Sequence, residues 1–372
     1  METPRGTVLL LGTRKGLWVG RSDEGRTAWS WEGPHHEMQE VHAVAALPGG
    51  RVLAAGASSW LGPQVWRSDD LLTTPGGGAS WEGTPEGALR FGPDDGASVE
   101  AVWALEPGSP ADAPGTVWAG SQPAALWRSE DSGETFALVR GLWDHEHRPH
   151  WQPGFGGQAF HTVLPHPTDP ARLLAALSSG GLYGTEDGGT TWEPRNQGIK
   201  VEFLPEGKQY PAWGQCVHKV DRHPDAPELL LLQNHGGVFR SEDEGRSWVP
   251  ADAGLPATFG FPVVAHPHQP GTFFVFPVEA GERRWPPGAR AAVWRTRDAG
   301  RTWEECADGL PERFFVGVVR DAMAADDHAV TGLYVGGRNG GVWGSTDDGA
   351  SWRTLVTDLP DVLCVRAYAV PG

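Results

Sequence analysis

Basic residues are scarce in this chain. Lys and Arg number 30 against 47 Asp and Glu, a formal net charge of −17, with the acid spread along all 372 residues. No basic run follows a phosphate backbone, so nucleic acid is not an expected partner. Cysteine is rare too. Cys216, Cys306 and Cys364 form an odd, widely spaced set without a CxxC pair, which argues against a disulfide framework. Long apolar runs are missing. Behind Met1-Glu2-Thr3-Pro4-Arg5, the stretch Thr7-Val8-Leu9-Leu10-Leu11-Gly12 is too short for a secretory leader and reads as a strand. No segment is long enough to cross a bilayer as a helix. These absences lead us to expect a cytoplasmic protein with no membrane partner.

What the chain does have is 52 glycines, 32 prolines and 19 tryptophans. Gly and Pro punctuate short segments throughout, which suits many turns and few helices. The tryptophans follow a repeat. Ser/Thr-x-Asp-x-Gly-x-Thr/Ser-Trp appears in full as Thr185-Glu186-Asp187-Gly188-Gly189-Thr190-Thr191-Trp192 and Ser241-Glu242-Asp243-Glu244-Gly245-Arg246-Ser247-Trp248. It is also complete around Asp298 and Asp347, and variants occur around Asp23, Asp70 (with an insertion) and Asp131. The closing aromatics stand at 29, 81, 136, 192, 248, 303 and 352. A spacing near 50 with a turn signal in each copy predicts a propeller. Each copy reads as four strands. Residues 6–32 lack a first strand and residues 361–370 supply one, so pairing the two ends would close a ring of seven blades. The fold class predicted is therefore all-β, a single seven-bladed β-propeller over 1–372.

This repeat resembles the Asp-box of sialidase-like propellers over nearly the whole chain. In such a turn the Asp accepts amide hydrogens and the Gly takes a backbone conformation other residues avoid. The boxes are therefore expected to be structural, on the face opposite the inner-strand starts, and the acids within them are not catalytic candidates.

The inner-strand starts are the expected site. Counting six residues back from the proline that ends each inner strand gives His42 (Pro48), His161 (Pro167), His218 (Pro224), Phe261 (Pro267) and Ala101 (Pro107), the last with Glu100 beside it. One strand position repeated around a ring faces one way, so His42, His161 and His218 are expected to converge. His235, in the loop Asn234-His235-Gly236-Gly237, joins them as a fourth imidazole. Such a set suits a divalent transition metal, Zn, Fe, Mn or Cu, and no organic cofactor is expected. Glu100, Glu279, Arg320 and Asp321 are the catalytic candidates, as groups that orient ligands or move protons. The pair His145 and His147, in the long connector 137–160 with Gly154-Phe155-Gly156-Gly157, is a second metal candidate. His166, His223 and His266 precede turn prolines and are expected on the opposite surface.

Trp151, Gly156-Gly157, His161, Cys216-Val217-His218-Lys219, Asn234-His235-Gly236, Phe259-Gly260-Phe261-Pro262 and Arg320-Asp321-Ala322-Met323 resemble a bacterial BNR-repeat family often labelled glycosyl hydrolase-like. A true sialidase would bind a carboxylate with three arginines, and Arg14, Arg320 and Arg338 could serve. However, the N-terminal Phe-Arg-Ile-Pro motif of sialidases is absent, and of four tyrosines only Tyr368 falls on an inner strand. The leading expectation is a metal-dependent enzyme acting on a small molecule through the His cluster. A metal-free glycoside hydrolase or lyase comes next, and a binding or assembly propeller without chemistry is the third reading. A small-molecule or carbohydrate ligand is expected under the first two.

Overall fold

Short apolar strands separated by Gly- and Pro-rich turns can satisfy their backbone only by pairing with near neighbours in sequence, and they do so seven times. The computed structural model describes residues 6–74, 78–83, 89–154, 157–202 and 204–370. It is a seven-bladed β-propeller of four-stranded antiparallel sheets. In six sheets the four strands follow chain order. In the seventh, Val362–Ala369 pairs with Thr7–Thr13, followed by Gly16–Ser22 and Trp29–His35. Leu9 faces Ala367 and Leu10 faces Arg366 across that seam, so the two ends of the chain share a blade as the sequence led us to expect.

The chain divides into two compact units. One comprises Met1–Glu37, Gln197–Tyr210 and His218–Gly372, and the other Met38–Asn196 and Pro211–Val217. The cut at 217/218 runs inside a single strand, Val217–His223. In the first unit Leu9, Leu11, Phe274, Phe276, Leu333, Tyr334 and Trp343 belong to one buried cluster. In the second, Trp118, Phe160, Leu177, Tyr183 and Trp192 form another. Burying a large side chain of this kind stabilises by roughly 1.5–3 kcal/mol.

Each repeated turn joins a third strand to a fourth. In the 241–248 copy, Ser241 Oγ donates to Asp243 Oδ1 at 2.7 Å, and Asp243 accepts from the Ser247 amide at 2.9 Å and the Ser247 hydroxyl at 2.6 Å. Asp187, Asp298 and Asp347 repeat the pattern. The closing tryptophans tie blades together within the first unit: Trp303 Nε1 donates to Ala251 O at 2.8 Å, and the Trp352 amide to Asp308 O at 2.8 Å. Gly309, at φ +86°, lies so close that a Cβ there would fall 2.0 Å from Trp352 O, and only glycine fits.

Because neighbouring strands are antiparallel, an inner strand begins at the same end of its blade as the hairpin between second and third strands. The Ser/Thr-x-Asp turns lie at the other end. One expectation about that end is corrected. His166, His223 and His266 are not surface residues but are 4%, 0% and 1% exposed. Each Nδ1 accepts the amide of the residue two positions on, at 3.3, 3.1 and 3.0 Å. These imidazoles cap the turn as an Asp side chain would.

The inner strands also carry a feature that counting from prolines does not reveal. Their pairing slips by one residue, a β-bulge, between Val41 and Ala43, between Val102 and Ala104, and between Phe160 and Thr162. A similar irregularity falls between Gly260 and Val263. The shared position is thus the bulge, and its occupants are His42, Trp103, His161 and Phe261. In the third blade the equivalent residue is Trp103 and not Ala101, because Pro107 still belongs to the strand.

Candidate functional site

A bulge re-aims its side chain, and here it turns the ring toward the next blade. His42 stacks on Trp103, centroids 4.6 Å apart and planes at 20°. Its Nε2 lies 3.8 Å from the Glu40 carboxylate. His218 stacks in the same way on Phe261, at 4.9 Å and 24°. His161 is 1% exposed, and its Nε2 donates to Val217 O at 3.1 Å while Nδ1 meets Thr162 Oγ1 at 3.0 Å. Within the first unit His218 and His235 come together, with ring centroids 5.7 Å apart. His42, His161 and Cys216 belong to the other unit.

His218 is the centre of the group. Its Nδ1 donates to Gly260 O at 2.6 Å, and Phe259 closes on its edge at 5.1 Å. Burial pushes the imidazole down to about 3, so it is neutral at physiological pH. His235 is exposed, 5.7 Å from His218 between ring centroids and 5.0 Å from Phe259. Burial and the nearby Arg284 guanidinium lower it too. Cys216 is half-buried and immediately precedes the strand that carries His218.

Beside this group stands a charged cluster. Arg320 Nε donates to the His218 carbonyl at 3.2 Å. Asp321, 6% exposed, takes Lys219 Nζ at 2.7 Å and Arg366 Nη2 at 3.2 Å on one oxygen. Burial raises its carboxyl, but Lys219 and Arg366 outweigh that and hold it at about 2. Its backbone bridges to Cys364, and its carbonyl accepts the Val365 amide at 2.7 Å. Three cations therefore act on Asp321, and two of them, Lys219 and Arg366, also act on the Asp221 carboxyl, which burial raises. Above them, the Arg284 guanidinium lies 5.7 Å from the centroid of Phe261, the ring that stacks on His218. The adjacent Trp285 meets Phe315, which is 64% exposed, at 5.9 Å edge to face.

The remaining candidates are placed as follows. Glu279 pairs with Arg283 at 2.6 Å. Glu100, in the other unit, is exposed and accepts from Gln122 Nε2 at 2.8 Å. Arg14 and Arg338 both reach Asp361, at 3.2 and 3.0 Å. His145 Nε2 bonds Trp192 O at 3.2 Å and its Nδ1 accepts the His147 amide at 3.1 Å, while His147 Nδ1 meets the Tyr183 hydroxyl at 3.1 Å. That pair pins the connector down. Phe155 and Gly156 of the same connector lie outside the described residues. Lys219 and Arg366 were missed as site residues, and the only sequence signal for either was the Cys216-Val217-His218-Lys219 run.

No family model matches this chain, and no curated protein does. Among solved structures, it is similar to an ancestral GH74 enzyme, with TM-score 0.56 and 15% identity over 86% of this chain and 39% of that one. It is also similar to YCF48 from Cyanidioschyzon merolae, with TM-score 0.52 and 13% identity over 87% of each chain. YCF48 bound to a D1 peptide matches with TM-score 0.52 at 13% identity over 86% of this chain and 81% of that one. The chain spans about two fifths of the length of the GH74 enzyme. At these identities the likeness is one of fold, and fold does not confer function. No described helix is long and apolar enough to cross a membrane.

Proposed function

We propose that this propeller binds a small, negatively charged carbohydrate where the inner strands of the 218–372 segment begin, and that it acts there in a glycoside hydrolase-like way. The observation that carries the reading is the cationic excess around Asp321. In a chain of net charge −17, Lys219, Arg320 and Arg366 stand against two acids, Asp321 and Asp221, and burial raises Asp221 toward its neutral form. Lys219 and Arg366 keep 16% and 23% of their side chains exposed while Asp321 keeps 8%. An arrangement that holds cations at a partly open surface favours an incoming carboxylate or sulfate. Contacts link this cluster to an aromatic platform: Arg320 touches His218, His218 stacks on Phe261, and Phe261 lies beneath Arg284, next to Trp285. Aromatic faces beside fixed cations suit an acidic sugar. The GH74 neighbour is an enzyme, which agrees with this reading without carrying it. In this reading Arg320 contacts the anion, Asp321 positions Lys219 and Arg366, and Glu279, whose backbone bonds those of Arg284 and Trp285, could move a proton. Glu100 has no part.

Calorimetric titration with D-glucuronate and D-glucose tests the proposal. Glucuronate should bind and glucose should bind much more weakly. Arg320→Gln should weaken glucuronate roughly tenfold or more, the scale of one lost charge-assisted hydrogen bond. Equal binding of both sugars, or glucuronate binding indifferent to Arg320→Gln, would sink it. A second reading, a partner-binding propeller, is favoured by one feature of the other unit. Met38, Trp60 and Leu61, 57%, 85% and 54% exposed, lie at the inner-strand-start end of one blade. YCF48 is a propeller seen with a bound peptide, and this reading takes precedence if neither sugar binds.

A further inference from the structure

The anion reading leaves one acid of the cluster without a role. Asp221 lies two residues after Lys219 on the strand Val217–His223. Lys219 and Asp221 are partly exposed there while Val220 and Arg222 are buried, so the first two side chains project to one side. Lys219 Nζ reaches Asp321 at 2.7 Å, and Arg366 reaches the same Asp321 oxygen at 3.2 Å. Both cations also act on Asp221.

The two acids are held differently. Asp321 takes its cations in direct contact. The bonds to Asp221 come from backbone amides: Oδ1 accepts the Arg222 amide at 2.8 Å, and Oδ2 accepts the Ala265 amide from the strand Gly260–Ala265 at 2.7 Å. Lys219 and Arg366 are the charged side chains that act on Asp221, and His223, further along its own strand, feels its charge in turn. Burial raises the Asp221 carboxyl against those amides and cations, while the contacts at Asp321 hold that carboxyl at about 2. Of the two acids, Asp221 therefore accepts a proton first.

An anion entering here adds a negative charge where Lys219, Arg320 and Arg366 already stand against Asp321 and Asp221. With both acids ionised, the new charge exhausts the cationic excess. With Asp221 neutral, one positive charge remains over. We propose that the site takes up its anion together with a proton, which Asp221 receives from solvent as its carboxylate becomes a carboxylic acid. The inference rests on the anion reading and adds a control to that same site. Coupling of this kind is reciprocal: what the anion adds to the proton affinity of Asp221, the proton adds to the affinity for the anion. A rise of about one unit in Asp221 corresponds to roughly tenfold tighter anion binding. Affinity then rises as pH falls through the Asp221 titration, so the site loads in acid surroundings and releases in alkaline ones.

Calorimetric titration of the full chain with D-glucuronate, in buffers of different ionisation enthalpy, reads the proton directly. The heat should differ between buffers by the proton taken up, and affinity should rise roughly tenfold from mildly alkaline to mildly acidic pH. Asp221→Asn should remove the uptake and bind with the tighter affinity at every pH. Infrared difference spectra of the bound against the free parent should gain a protonated-carboxyl band that Asp221→Asn lacks, which an aspartate with a purely structural role would not give. The Asn side chain keeps an oxygen for one amide, circular dichroism checks the fold of the variant, and the uptake by the parent is a test that needs no variant. His235→Gln should retain the uptake. Uptake lost in His235→Gln but kept in Asp221→Asn would assign the proton to the imidazole and overturn the proposal. Glucuronate binding with the same heat in all buffers across the pH range would overturn it too and leave the anion reading standing. No glucuronate binding at any pH would sink both.

Discussion

At the scale of the residue, the repeated aspartates show how far a local pattern reaches. Among the described residues, Asp243 meets Ser241, Arg246 and Ser247, all within four positions along the chain. Its role could therefore be read from the sequence, and the structure places it in that turn. Asp243→Ala should destabilise by about 1–3 kcal/mol, because amide and hydroxyl donors lose their acceptor. Urea unfolding measures this, and glucuronate affinity should not move. A collapse of binding at unchanged stability would mean that the turn lies next to the ligand. The cluster at Asp321 is the opposite case. Lys219 stands 102 positions away and Arg366 45 positions away. No spacing rule joins such residues, so Asp321 was legible as a candidate while its partners were not.

At the scale of the element, register explains which expectations changed. The offset from the turn proline identified one strand position correctly in the blades of His42, His161 and Phe261, and that position is a bulge or lies in an irregular stretch of the pairing. Period-two alternation sets side-chain direction only while pairing is regular. His42 consequently stacks on the next blade's Trp103, and His161 donates to Val217 O. A bulge leaves little trace in a single sequence, since any residue can occupy it. The C-terminal strand was more readable, because a repeat that begins one strand short and ends one strand long has few other solutions. Val362–Ala369 covers Thr7–Thr13, whose Leu9, Leu10 and Leu11 are fully buried, and it supplies Arg366 to Asp321. Deleting residues 361–372 should expose an unpaired edge beside apolar side chains and drive self-association. Light scattering after size exclusion should show oligomers, with a lower Tm. A monomer that melts as the parent does would show that the strand is dispensable.

At the scale of the whole molecule, seven copies of one turn made the propeller legible despite low identity to any structural neighbour, and they also give it a shared acid sensitivity. The carboxyls of Asp23, Asp70 and Asp187 lie below the usual value of 3.8 chiefly through hydrogen bonds within the turn, with Asp187 at about 2. At Asp131, Asp243, Asp298 and Asp347 burial works the other way, and the hydroxyl and amide donors outweigh it. A group whose folded-state pKa is depressed binds its proton more readily in the unfolded chain. Its contribution is complete above the unfolded value and is lost as pH falls toward the folded one. The aspartates should therefore cost stability from pH 3.8 downward, toward about 2 for Asp187. Burial acts earlier through the histidines: His218, lowered from 6.5 to about 3, and His36, lowered to about 4, withdraw stability as soon as pH falls below 6.5. Unfolding free energy measured in urea with a chelator present should hence decline in two stages. His218→Gln should flatten the upper stage and leave the lower one, and Asp187→Asn should shrink the lower stage by the share of its own turn and leave the upper one. A profile level from pH 6.5 down to about 4 would exclude the histidine stage. A lower stage unchanged in Asp187→Asn would mean that this turn has no part in the acid sensitivity.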